Sequence, residues 1–123
     1  MFQKLMAALF MTVSLAGAAQ AQSKQDFVLV NKTGYVLSEI YVSPARADNW
    51  GDDLLENDDE GMDDDETRTI SFTRAGSNCI WDLKVVYEED DSSAVWHDIN
   101  LCEVSKITIR WNKSSGDTTA KFD

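Results

Sequence analysis

Eleven of the chain's 22 carboxylates fall between Asp48 and Glu66, a stretch that holds no Lys or Arg. Carboxylates at alternate positions before a glycine are the donors calcium takes, because this hard cation collects about six to eight oxygens. Setting Gly61 at the loop's glycine position puts Glu56, Asp58 and Glu60 where the first ligands stand. Thr67 then occupies the place that requires a bidentate Glu, so the match to the usual loop is degenerate. The set the spacing offers is Asp58, Glu60 and Asp64, a weak Ca2+ site of the kind found in extracellular modules. The competing reading is a solvated, self-repelling loop over residues 52–66, and the poor spacing favours it.

Other residue types invite chemistry and give less. His97 and Asp98 are adjacent, but alternation along a strand turns neighbours to opposite faces. No free Cys and no Ser in a glycine-flanked elbow accompanies them, so no nucleophilic triad is expected and no catalytic residue is assigned. A small hydrolase working through paired carboxylates has no motif behind it, since acids occur throughout the chain. Trp50, Trp81, Trp96 and Trp111 suggest a sugar-stacking platform, yet aromatic residues at strand period usually build a core, which suits Trp81 and Trp111. Trp50 sits beside Gly51 in an irregular stretch and is the candidate binding residue, with anchoring of that stretch as its alternative role.

The elements that must position these groups read as short strands. Residues 27–30 are apolar and rich in valine, and Asn31-Lys32-Thr33-Gly34 punctuates them as a turn. Residues 35–42 alternate, with Val36, Ile40 and Val42 on one face and Tyr35, Leu37 and Tyr41 on the other, until Pro44 ends the run. A short helical turn is predicted over residues 50–56, anchored by Trp50 and Leu54. Strands follow at 67–74, 79–87, 95–99 and 106–111, and a last one at 118–122 either forms or frays. The run 79–87 has the cleanest period of two, with Cys79, Trp81, Leu83, Val85 and Tyr87 on one face. Six or seven short strands without a helical segment predict an all-β fold, a small antiparallel β-sandwich with a long acidic loop.

The first 21 residues read as a signal peptide: Lys4, an apolar run over residues 5–19, then Ala19-Gln20-Ala21 as the small-residue exit. That run is shorter than the roughly 20 apolar residues needed to span a bilayer, so no integral membrane segment is expected after cleavage. Cleavage after Ala21 leaves residues 22–123 as one β domain in the periplasm or outside the cell. In that oxidising setting the two cysteines, Cys79 and Cys102, predict one disulfide, worth about 3 kcal/mol of stability. With His97 the sole histidine, a Cys/His zinc site is not expected. The formal charge of −11 becomes −12 once Lys4 is removed. Such a surface repels nucleic acid and anionic membranes and attracts cations or a basic partner.

The segments Tyr41-Val42-Ser43-Pro44, Trp50-Gly51-Asp52-Asp53-Leu54-Leu55, the Cys79-Ile80-Trp81-Asp82-Leu83-Lys84-Val85 block and Asn100-Leu101-Cys102 resemble a family of small exported bacterial proteins. The resemblance covers most of residues 22–123 and implies no activity. Some members carry the name argininosuccinate lyase, but that enzyme is a large helical tetramer whose active site this short β domain cannot rebuild. Where the family has a turn of the Leu-Pro-x-Gly kind, this chain has Met62-Asp63-Asp64-Asp65, so its acidity is its own. The expected function is that of a binding or interaction module, with weak calcium binding and carboxylate-based hydrolysis as alternatives.

Overall fold

The computed structural model describes residues 26–56, 60–72 and 78–123, so the predicted signal segment lies outside the described residues. In chain order the strands are β1 (Phe27–Lys32), β2 (Leu37–Pro44), β3 (Thr67–Ile70), β4 (Ile80–Tyr87), β5 (Ser93–Asn100), β6 (Lys106–Asn112) and β7 (Asp117–Phe122). They form a four-stranded sheet, β3-β1-β6-β7, and a three-stranded sheet, β2-β4-β5. Phe27, Leu29, Ile107 and Ile109 of the first sheet share one buried core with Ile40, Leu83 and Val85 of the second. The β-sandwich is the expected fold, and the tail does form its last strand.

Three details depart from the alternation pattern. β1 and β6 pair in parallel, whereas the other strand pairings are antiparallel. Alternation cannot reveal strand direction, and no hairpin ties these two distant strands to an antiparallel course. In β2 a bulge between Leu37 and Glu39 shifts the phase, so Leu37 is fully buried in the same core as Ile40 instead of facing away from it. No helix forms among the described residues, and the segment after Trp50 is a turn. Leu55 is the residue buried there, with Leu54 packed partly against the core and Trp50 only half-buried.

The Cys79–Cys102 disulfide, of sequence separation 23, closes the β4–β5 hairpin at its open end, where Leu101 N–H donates to Cys79 O at 2.8 Å. Close by, Trp81 is 3% exposed, donates from Nε1 to Asn78 O at 3.0 Å, and meets Phe72 edge to face with centroids 4.9 Å apart.

At the other end of the sandwich, Asn31 is completely buried yet polar. Its Nδ2 donates to the carbonyls of Tyr35 (2.9 Å), Met62 (3.2 Å) and Asp63 (3.0 Å). Its Oδ1 accepts from the backbone N–H (3.1 Å) and hydroxyl (2.7 Å) of Thr33. One carboxamide thus fastens the turn after β1 to the end of the acidic loop. Met62, with no exposed surface, forms a two-bond bridge with Leu37 at 2.9 Å each way. Gly61 makes that approach possible: at φ +76° a Cβ would lie 2.4 Å from Leu37 O.

Two outcomes follow from this packing. Asn31→Asp exchanges the donor amide for a carboxylate facing carbonyl oxygens, and should destabilise the fold by about 3 kcal/mol or more at neutral pH. Trp81→Ala should cost about 3–5 kcal/mol through lost burial and the cavity left behind. Urea unfolding measures both, and a midpoint unchanged from wild type in either variant contradicts the packing described.

Candidate functional site

The strongest concentration of recognition chemistry lies where β4 runs into its hairpin. Tyr87 ends β4, Trp111 stands near the end of β6, and Tyr35 comes from the turn before β2. Their ring centroids are 5.9 Å (Tyr35–Tyr87), 6.3 Å (Tyr35–Trp111) and 6.3 Å (Tyr87–Trp111) apart. The interplanar angles are 82°, 89° and 79°, so the three rings stand mutually perpendicular like faces of a box. Tyr87 is 6% exposed and shares a 2.6 Å hydrogen bond with the Thr118 hydroxyl. Burial pushes its phenol above the ordinary value, so the ring stays neutral. Tyr35, by contrast, is 39% exposed and leaves one wall open to solvent.

Glu89, Asp90 and Ser92 complete a cavity of about 100 Å³ with these rings. The hairpin geometry fixes their position. Tyr87 N–H donates to Ser92 O at 2.8 Å, and Asp91, at φ +60°, turns the chain back with its N–H on Tyr87 O at 3.0 Å. Asp90 Oδ1 accepts the hydroxyl (2.6 Å) and N–H (3.1 Å) of Ser92. These bonds hold the Asp90 carboxyl below its usual range, leaving an anion beside the aromatic rings. Ring faces carry negative electrostatic potential, so rings and carboxylates together suit a positively charged organic group.

A second polar cluster surrounds Asp82, whose side chain is 3% exposed. Its Oδ2 accepts from Arg46 N–H at 2.8 Å and lies 2.9 Å from His97 Nδ1, while Oδ1 accepts from Asp98 N–H at 2.9 Å. Arg46 Nη2 in turn pairs with Asp98 Oδ2 at 2.9 Å on the exposed side. Burial pushes the Asp82 carboxyl up, but the two backbone N–H bonds and the His97 contact outweigh it, and the net shift is downward. A bulge builds this cluster. The register passes from Trp81↔Ile99 to Leu83↔Trp96, so His97 and Asp98 together oppose Asp82, with Asp98 at φ +59°. His97 and Asp98 are therefore both exposed, which corrects the expectation that alternation separates them onto opposite faces.

Of the calcium candidates, Asp58 lies outside the described residues. Glu60 is exposed, and Asp64 Oδ1 accepts the Gly34 N–H at 2.8 Å. Among the described residues no three His, Cys, Asp or Glu side chains gather closely enough to hold a metal ion. The loop is also less free than a solvated run would be. Asp53 Oδ1 accepts from Ile40 and Leu55 N–H, Asp65 pairs with Lys32 at 2.8 Å, and Glu66 pairs with Arg68 at 2.8 Å. Trp50 packs against Tyr41 with centroids 6.5 Å apart, and Lys84 Nζ lies over both rings at 5.9 and 5.5 Å. The neighbouring Tyr41 hydroxyl bonds Glu39, and that bond first, then burial, pushes its pKa up to about 12. Trp50 therefore belongs to an internal cation–π contact and anchors its loop.

Compared with known protein families, curated proteins and solved structures, the chain shows no significant match. Sequence reasoning placed Trp111 in the core and did not single out Tyr35 or the 89–92 hairpin. The available signal was the coincidence of an aromatic strand end, Tyr87, with an acidic hairpin immediately after it.

The Asp82 cluster yields a pH dependence. A carboxyl whose pKa is lowered by folding contributes stability that is fully present above its unfolded value, about 3.9, and is lost as pH falls through the folded value. Asp82→Asn should lower stability at neutral pH by about 1–3 kcal/mol, because an amide cannot accept from all its donors. The gap to wild type should then narrow as pH drops below about 4. Urea midpoints between neutral and acid pH measure this, and a gap that stays constant across that range would contradict it.

Proposed function

We propose that this protein is an exported binding module that takes a positively charged organic group into the pocket formed by Tyr35, Tyr87 and Trp111. The observation that carries this reading is the perpendicular three-ring box with Glu89 and Asp90 at its edge. Cation–π attraction is worth about 0.5–2 kcal/mol per ring and grows with desolvation, so one cation touching several rings gains a useful affinity. The net charge of −11 adds long-range attraction for the same class of ligand. Export rests on the N-terminal pattern, with the Cys79–Cys102 disulfide in keeping with an oxidising compartment. The resemblance to small exported bacterial proteins rests on the motif segments alone. In this fold they form the end of β2, the Trp50 anchor and the disulfide-closed hairpin.

Tetramethylammonium is the simplest probe of the pocket. Its titration should shift the indole N–H resonance of Trp111 while sodium at the same ionic strength leaves it in place. Trp111→Ala and Tyr35→Ala should each weaken binding by about threefold to thirtyfold, the range of one lost cation–π contact. Asp90→Asn should weaken it less, since Glu89 remains. An unmoved Trp111 resonance at saturating probe would overturn the reading.

A further inference from the structure

The two sheets end differently on their two flanks. β2, an edge strand, is covered on its outer side: Leu37 bridges Met62, and Leu54 N–H donates to Ile40 O at 2.8 Å. β5 is the opposite edge of that sheet and β7 is an edge of the other, and among the described residues neither has a second strand partner. Two hollows lie along β5. One of about 640 Å³ is bordered by Ser93, Ala94 and Val95 of β5 and by Asp117 and Thr118 of β7. It shares Tyr87, Asp90, Ser92 and Trp111 with the aromatic pocket. The other, of about 260 Å³, runs beside residues 97–100 and is bordered by Phe122 of β7.

We propose that this flank is the docking groove for an extended segment of a basic partner protein, which adds to β5 as a strand and seats a Lys or Arg side chain in the aromatic pocket. The proposal rests on the cation reading of that pocket and adds the class of ligand. Charge complementarity identifies the occupant. Glu89, Asp90 and Asp117 border the groove and its pocket, and no Lys or Arg is among the described residues that line it: Arg46 is paired with Asp98, and Lys84, across the ladder from Val95, holds its amine over Tyr41 and Trp50. A second copy of this chain, also at −11, would be repelled from the same surface. Val95 and Phe122, 38% and 41% exposed, supply apolar contact for the alternate side chains of an added strand. Main-chain pairing provides affinity in this mode of recognition, and side-chain pockets provide selectivity. The bulge at His97–Asp98 interrupts the regular ladder, so the added strand pairs along residues 93–96.

The experiment uses the purified, disulfide-closed protein and three probes: tetramethylammonium, a ten-residue peptide alternating Lys with Val, and the same peptide with a central proline. The alternating peptide should bind at least tenfold more tightly than the small cation and slow amide exchange at residues 93–96. The proline peptide should lose that gain. Val95→Ser, a neutral substitution at an exposed position, should weaken the peptide about threefold or more at unchanged melting temperature and leave tetramethylammonium binding intact. If tetramethylammonium binds but the two peptides bind alike and exchange along residues 93–96 is unaffected, the groove is overturned and the pocket stands. If none of the probes binds, pocket and groove fall together.

Discussion

The buried side chain of Asn31 is the constraint on which one whole end of the sandwich depends. A carboxamide with no exposed surface must find partners for both of its ends, because an unsatisfied amide in the interior costs more than most single contacts contribute. Here the partners are backbone groups of Thr33, Tyr35, Met62 and Asp63, from two chain segments that sequence alone separates widely. Satisfying Asn31 therefore brings the end of the acidic loop against the turn after β1. That placement lets Met62 fill the core and Leu37 bridge to it. Tyr35, whose carbonyl is held by the same amide, follows the turn into position as the open wall of the aromatic pocket. A polar group at the centre of the fold thus sets the geometry of a recognition surface at its rim.

The acidic loop shows how charge is reconciled with packing. Eleven carboxylates between Asp48 and Glu66 repel one another, and exposed pairs offset little of that. The fold sets two buried apolar anchors, Leu55 and Met62, within the run and assigns Asp53 and Asp64 to backbone donors. Asp53 caps its own turn by accepting the Leu55 N–H and also reaches Ile40 N–H in β2, while Asp64 accepts the distant Gly34 N–H in the turn after β1.

Much of this architecture was legible in the sequence. The stripe from Trp81 to Tyr87 announced the central strand because one of its faces is entirely core. The cysteines announced the closure of the hairpin beside it. What alternation did not convey were the bulges in β2 and β5, since an extra residue changes the phase without changing composition. For this reason Leu37 was placed on the wrong face, and the convergence of His97 and Asp98 on Asp82 was missed. The role of Asn31 was equally hidden, because an Asn-Lys-Thr-Gly run reads as an exposed turn and its distant carbonyl partners leave no local trace. The aromatic pocket was legible only in part: each ring was visible as a strand or turn residue, but their meeting depends on how the two sheets are stacked.

The covered outer side of β2 has a consequence for aggregation. A sheet with two open edges can accept a neighbour on either side, and each addition presents a fresh edge to the next molecule, which is the geometry of a growing fibril. In the three-stranded sheet the Leu37–Met62 bridge occupies one of those edges, so among the described residues β5 is the edge left to recruit. Growth through this sheet therefore terminates after a single addition: two molecules joined through their β5 edges would each turn a closed side outward. The acidic loop, through Met62, thus closes one edge of this sheet to a neighbouring strand.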